Sequence, residues 1–150
     1  MVDRVTPEQR SWIMSRVSAK DTKPEIAVRS MLHRMGFRFR LHDPRLAGRP
    51  DIVLRRHRTA IFVHGCFWHR HRGCKKATTP ETRRDFWIRK FEKNIERDRK
   101  NYDQLEVQGW RVLVIWQCEL EDPVSLEDRV SRFMESGNAA SDYGQQAKHR

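Results

Sequence analysis

The run Arg111-Val112-Leu113-Val114-Ile115-Trp116 limits the fold more than any other stretch of the chain. It is apolar almost without interruption, the pattern of a strand covered on both faces of a sheet. A strand of that kind needs a packed layer on each side. The preceding segment supplies one. Thr79 and Pro80 open a long helix with Ile88, Phe91, Ile95, Tyr102 and Leu105 on its apolar side, and Gly109 ends it. Arg83, Arg84, Arg89, Lys90, Lys93, Arg97, Arg99 and Lys100 cover the remainder as a solvated basic face.

Other elements follow from local signals. Thr6-Pro7-Glu8-Gln9 reads as a helix start, so a short helix to Val17 is expected within an N-terminal arm, residues 1–20. Asp21-Thr22-Lys23-Pro24-Glu25 repeats the signal, and Val28, Met31, Leu32 and Met35 form the buried face of a helix stopped by Gly36. Glu25 sits three residues after the cap, which gives it a structural role as a capping-box carboxylate beside any catalytic one. Phe37-Arg38-Phe39-Arg40-Leu41 alternates as a half-buried strand does. Ile52-Val53-Leu54 and Thr59-Ala60-Ile61-Phe62-Val63, joined by the basic turn Arg55 to Arg58, read as a hairpin. Antiparallel pairing brings Asp51, at the start of the first strand, next to Val63 and His64 at the end of the second. A last helix begins near Ser125 with Val130, Phe133 and Met134 on one side. From Ser136 the residues become small and polar, and the tail 136–150 is expected to be disordered. The sum is one α/β domain, residues 1–135, with a central mixed β-sheet flanked by helices.

Charge narrows the function. Lys and Arg number 31 against 20 Asp and Glu, a formal net charge of +11, which favours a polyanionic partner, above all nucleic acid. No run of roughly 18 apolar residues exists to cross a membrane. A soluble, intracellular protein is the expectation. The three cysteines are an odd number, which argues against a disulfide framework in a reducing compartment.

Two of those cysteines lie in Val63-His64-Gly65-Cys66-Phe67-Trp68-His69-Arg70-His71-Arg72-Gly73-Cys74, together with three histidines and two adjacent aromatics. Cys66, a histidine, Cys74 and the distant Cys118 make a plausible tetrahedral zinc site. Four protein ligands indicate a structural ion, one that staples the loop to the sheet. His69 and His71 both have suitable spacing, and spacing does not choose between them. Asp51 beside His64 and His69 forms a minimal kit for phosphodiester hydrolysis, with the carboxylate holding magnesium and an imidazole managing a water proton. Phe67, Trp68 and Trp87 are either core residues or stacking platforms for bases.

With these residues in view the chain closely resembles the very-short-patch mismatch repair (Vsr) endonucleases from about Arg10 to Phe133. The resemblance lies in Met14, Asp21-Thr22, Glu25, Gly48-Arg49-Pro50-Asp51, His64-Gly65-Cys66-Phe67-Trp68-His69, Phe86-Trp87, Asn94-x-Glu96-Arg97-Asp98 and Gly109-Trp110-Arg111-Val112-Leu113. It implies a restriction-endonuclease-like core that nicks one strand 5′ to the thymine of a T:G mismatch left by deamination of 5-methylcytosine. By the same resemblance Asp51 and the backbone carbonyl of Val63 hold magnesium, and His69 is the general base. Glu25 supports the site, and His64 lies near the phosphate. Cys66, His71, Cys74 and Cys118 are the implied zinc ligands, which frees His69 for chemistry. Phe67, Trp68 and Trp87 are implied to wedge into DNA, with Met14 entering from the other groove. Gly73 is a possible one-residue variation in the zinc loop. The lysine of the usual acidic-x-Lys nuclease pair is absent, and Phe62-Val63-His64 stands in its place.

The partner so implied is duplex DNA carrying a T:G mismatch, bound by a monomer because the lesion has no two-fold axis, with general repair proteins acting downstream. Two other readings fit the same residues: a restriction-type nuclease of matched duplex, and a zinc-containing DNA-binding module without catalysis.

Overall fold

A computed structural model describes residues 22–137 and 140–144. The expected N-terminal arm, residues 1–20 with Met14, lies outside the described residues.

Helix α1 spans Lys23–Arg34, and the side chain of Thr22 caps it by accepting from the Glu25 amide at 3.3 Å. Gly36, at φ +94°, lets the chain leave the helix in the left-handed region that a Cβ disfavours. Strand β1 is only Arg40–Leu41. The alternation from Phe37 predicts a longer strand, but Phe37 and Phe39 pack against the core without joining the ladder. Strands β2, Ile52–Leu54, and β3, Thr59–His64, form the hairpin, with Ile52 opposite Ile61.

After β3 come a single-turn helix α2, Cys66–His69, and the long helix α3, Arg84–Val107. The chain then enters β4, Arg111–Trp116, which runs parallel to β3 from Thr59 opposite Arg111 to His64 opposite Trp116. The sheet order is β1-β2-β3-β4, with antiparallel pairing everywhere except β3–β4. A 3-10 turn, Gln117–Glu121, leads to helix α4, Pro123–Glu135.

Two cores meet at the sheet. Ile52, Leu54, Ile61, Leu113 and Ile115 face α1 and α4 and pack with Val28, Leu32, Leu126 and Val130. Ala60, Phe62, Val112, Val114 and Trp116 face α3 and pack with Tyr102 and Leu105. Successive residues of β4 therefore enter opposite cores, which explains why its sequence shows no polar alternation. Each large apolar side chain so buried contributes about 1.5–3 kcal/mol.

Two expectations are corrected here. Helix α3 starts at Arg84 and not at Thr79-Pro80, because Thr79 is otherwise engaged. Arg70 donates to the carbonyls of Ala77 and Thr78 and to Thr79 Oγ1, and the chain turns through Arg83 at φ +56° before the helix begins. The second concerns the tail, for which composition predicts disorder. Residues 140–144 instead lie along β4: the Asp142 amide donates to Val112 O and the Val114 amide donates to Asp142 O, both at 2.8 Å. The outer side of β4 offers unpaired backbone groups, and pairing needs no apolar side chains from its partner.

Among the described residues no helix is long and apolar enough to cross a membrane.

Candidate active site and metal centre

The hairpin register puts Asp51 against the end of β3, as pairing predicts. The backbone amide of Val63 donates to Asp51 Oδ2 at 2.7 Å. The contact of Val63 with Asp51 is thus made through its N–H. Burial pushes the Asp51 carboxyl up to about 7; the Val63 amide opposes this, and the neighbouring Glu25 carboxylate adds to it. Two carboxylates this close repel one another unless a proton or a cation lies between them.

Glu25 does not close a capping box. Its side chain is buried and turned toward Asp51, with Oε2 accepting from Arg29 Nη2 at 3.2 Å and lying 3.1 Å from His42 Nε2. Ligand atoms of Glu25, His42 and Asp51 all fall within 4.8 Å of one another. His42 takes a left-handed φ of +48° and donates its amide to the Asp51 carbonyl at 3.3 Å. Neither Arg29 nor His42 was singled out from the sequence. The signal for Arg29 is its i+4 spacing from Glu25; His42 belongs to no motif.

His64 and His69 meet on the side of the sheet covered by α3. Their rings are stacked, with centroids 3.7 Å apart and planes at 6°. His64 is buried and shares a 2.6 Å hydrogen bond between Nε2 and the Tyr102 hydroxyl. Burial holds its imidazole well below the usual range, with His69 and Arg97 adding to the effect. His69 Nδ1 lies 2.8 Å from Asp98 Oδ2, and Asp98 is itself buried. Asn94, Asp98 and Tyr102 recur every four residues on α3, so one face of that helix supports the whole group. Asn94 Nδ2 donates to the Trp68 carbonyl at 3.1 Å and pins α2 in place. That period of four was the available sign of Asp98 and Tyr102 as partners.

Cys66, His71, Cys74 and Cys118 converge, with their ligand atoms within 4.8 Å of one another. Cys118 Sγ is 3.3 Å from His71 Nδ1. A tetrahedral zinc ion with Zn–S near 2.3 Å and Zn–N near 2.0 Å needs such atoms about 3.5–3.8 Å apart, so the donor set fits. Burial and the adjacent sulfurs of Cys66 and Cys74 push the Cys118 thiol up to about 12. Three thiolates this close repel one another and need a cation between them, and the thiolate is the form in which cysteine binds zinc. The cluster contains His71, while His69 belongs to the Asp98 group.

Phe67, Trp68 and Trp87 form a half-buried cluster together with Phe91, the ring centroids of Phe67–Trp68 and Trp68–Trp87 being 5.0 and 5.8 Å apart. Arg70 lies 4.0 Å over the Phe91 ring. Phe86, at the margin, is 41% exposed, which leaves apolar surface open beside the histidines' loop.

Comparison with known proteins gives these groups a family. Residues 2–76 match the model of the DNA mismatch endonuclease Vsr family. The type II nicking enzyme V.XorIIP of Xanthomonas oryzae pv. oryzae is 49% identical over 90% of this chain and 98% of its own. The DNA mismatch endonuclease Vsr of Escherichia coli K12 is 42% identical over 85% of this chain and 81% of its own. Among solved structures, the catalytic domain of the homing endonuclease I-Bth0305I superposes with a TM-score of 0.55 at 20% identity, covering 79% of this chain and 100% of that domain. That likeness is one of fold and supports a restriction-endonuclease-like core. The sequence matches go further: this chain belongs to the Vsr family of DNA mismatch endonucleases.

Proposed function

We propose that this protein is a magnesium-dependent, zinc-stabilised endonuclease that nicks one strand of duplex DNA 5′ to the thymine of a T:G mismatch. Such a nick starts very-short-patch repair where 5-methylcytosine has deaminated in the DNA of a bacterial cytoplasm. The observation that carries the reading is the arrangement around the end of β3. Val63 holds Asp51 by its amide, while the next residue, His64, stacks on the His69 that Asp98 holds. A carboxylate site for a hard cation and a carboxylate-held imidazole thus flank consecutive residues.

Asp51, backed by Glu25, offers the anionic oxygens that magnesium prefers, and the Val63 carbonyl is the second ligand in this reading. When bound, the ion stabilises the charge that develops on the phosphate. The protein's own groups do the rest. Asp98 fixes Nδ1 of His69, which leaves Nε2 to accept the proton of an attacking water. His64, kept neutral by burial, packs against that ring and faces the phosphate without adding a second charge. Arg29 and His42 hold Glu25 in place beside Asp51.

Zinc on Cys66, His71, Cys74 and Cys118 fastens α2 and the following loop to the turn after β4. Phe67, Trp68 and Trp87 wedge beside the mismatch, where the base stack is already weakened, and Met14 approaches from the opposite groove. The enzyme acts as a monomer, and general repair proteins take over the nick.

A nicking assay with otherwise identical T:G and T:A duplexes and magnesium tests this. One cut strand on T:G alone is the expected result. Cutting of T:A would identify a matched-duplex nuclease, and binding without cutting would identify a non-catalytic module.

A further inference from the structure

The segment from Ala140 to Gly144 packs on Trp116 and Tyr102, which in turn contact His71 of the metal cluster and His64 of the histidine stack. It is anchored through Asp142 and Tyr143. Asp142 pairs its backbone with β4, and its carboxylate accepts from Arg129 Nη1 at 2.8 Å. The same guanidinium donates to Val114 O at 2.7 Å and grips both oxygens of Glu119, in the turn that carries Cys118. The carbonyl of Tyr143 accepts from Trp116 Nε1 at 3.1 Å, while its ring stacks on Tyr102 at 4.9 Å and 13° and its hydroxyl pairs with Glu106.

These anchors deliver Gly144 to a crowded place. At φ +57°, it leaves no room for a Cβ, which would come within 2.6 Å of the Trp116 ring and 3.1 Å of Val114 O. His71 lies on the same indole, stacked at 4.5 Å and 11°. Its Nδ1 is turned to Cys118 Sγ. The Trp116 indole is thus held by the strap at its Nε1 edge and covered by His71 on its face. Contacts that fix the ring plane of a metal-binding histidine are as much a part of its site as the ligand atom.

We propose that residues Ala140 to Gly144 form a strap that orients His71 as a metal ligand by holding the Trp116 indole on which its ring is stacked, with Tyr143 and Asp142 as the positioning residues that keep the strap there. The inference rests on the zinc reading above. It gives this C-terminal segment a task that its polar composition does not suggest. Zinc held by four protein ligands would then be locked from outside by a fifth, non-ligating contact, and loosening the strap would loosen the metal.

The test is the rate at which zinc leaves the full-length, zinc-loaded protein to an excess of a coloured chelator. Gly144→Val, which cannot keep the strap against Trp116, is expected to release zinc about 10–100-fold faster than wild type. Tyr143→Ala should speed release to a smaller extent, and Tyr143→Phe, which keeps the stacked ring, should match wild type. Val130→Ala serves as the control, since it opens a void in the other core and lowers the melting temperature without touching the strap. Zinc release from Gly144→Val at the wild-type rate, or no faster than from Val130→Ala at an equal loss of melting temperature, would overturn the proposal. Should Gly144→Val fail to fold, the contrast of Tyr143→Ala with Tyr143→Phe decides the matter by the same criterion. A wild-type protein that purifies and reconstitutes without zinc would instead refute the zinc reading itself, and the strap's task with it.

Discussion

His69 Nδ1 and Asp98 Oδ2 lie 2.8 Å apart, joining the four-residue helix α2 to the middle of α3 across 29 positions of sequence. The carboxylate fixes which imidazole nitrogen carries the proton and so which one can take a proton from water. Asp98→Asn keeps the shape but removes the charge and presents an amide that can favour the wrong tautomer. Nicking of a T:G duplex is expected to fall by about 10²-fold or more in single-turnover rate, with duplex affinity unchanged. Gel-based rates alongside equilibrium binding check this, and an equal loss in affinity would contradict an orienting role.

Asp51 should trade stability for function. Its carboxyl is raised to about 7 by burial, so the folded protein holds this proton more tightly than the unfolded chain does. In the absence of metal, stability contributed at this position is therefore full below about pH 4 and is lost as pH rises through about 7. Asp51→Asn is expected to abolish nicking and to raise the melting temperature of magnesium-free protein at pH 8 by about 5 °C, the two proteins converging near pH 4. Thermal melts across that range, in chelator-free buffer without magnesium so that zinc stays in place, provide the measurement.

His64 has the opposite sign. Buried against Tyr102 and kept neutral, it binds its proton less readily in the fold than in the unfolded chain. Its contribution is full above about pH 6.5 and is lost as pH falls below that value. His64→Gln should flatten the acid limb of the stability profile between about pH 6.5 and 5. The difference between wild-type and variant melting temperatures isolates this group from the other histidines.

Cys118 comes from the turn after β4 and must tie the α2 loop to the sheet if the cluster holds zinc. Cys118→Ala is expected to lower bound zinc from one per chain toward none and to open the loop to protease, while the sheet core keeps its far-ultraviolet signature. Metal analysis and limited proteolysis with peptide mapping test this. Full zinc content in the variant would show that Cys118 is no ligand.

Trp68 is half-buried in a cluster beside the histidine loop. As a wedge between bases it should be worth about 1–3 kcal/mol, so Trp68→Ala is expected to weaken T:G duplex binding about 10–100-fold. A fluorescence titration with T:A duplex as control separates the wedge from general packing, because a packing defect would weaken both duplexes alike.

Much of this molecule is legible along the chain. Caps, turn residues and periods of two and 3.6 act within a few residues, so Thr22, Gly36, the hairpin from Ile52 to His64 and the buried run of β4 announce their elements. Hairpin pairing even carries Asp51 to Val63, because antiparallel register is itself a short-range property. The same holds for the crowding of cysteine and histidine between His64 and Cys74, since all of it lies in one segment.

What only the tertiary structure decided is the pairing of polar groups between segments. Glu25 could have closed a capping box, and the choice of Arg29 and His42 instead depends on how α1 lies over the start of β2. His69 and His71 had equal claims on zinc by spacing. The fold separates them by setting one against Asp98 of α3 and the other against Cys118, 47 positions away. The strap was invisible for a related reason: its hold on β4 is made by backbone amides and carbonyls, which every residue has, and by an Arg129 whose partners come from three different segments. Local signals report the free energy of nearby residues, whereas a buried polar group is satisfied by whichever donor or acceptor packing brings within about 3 Å.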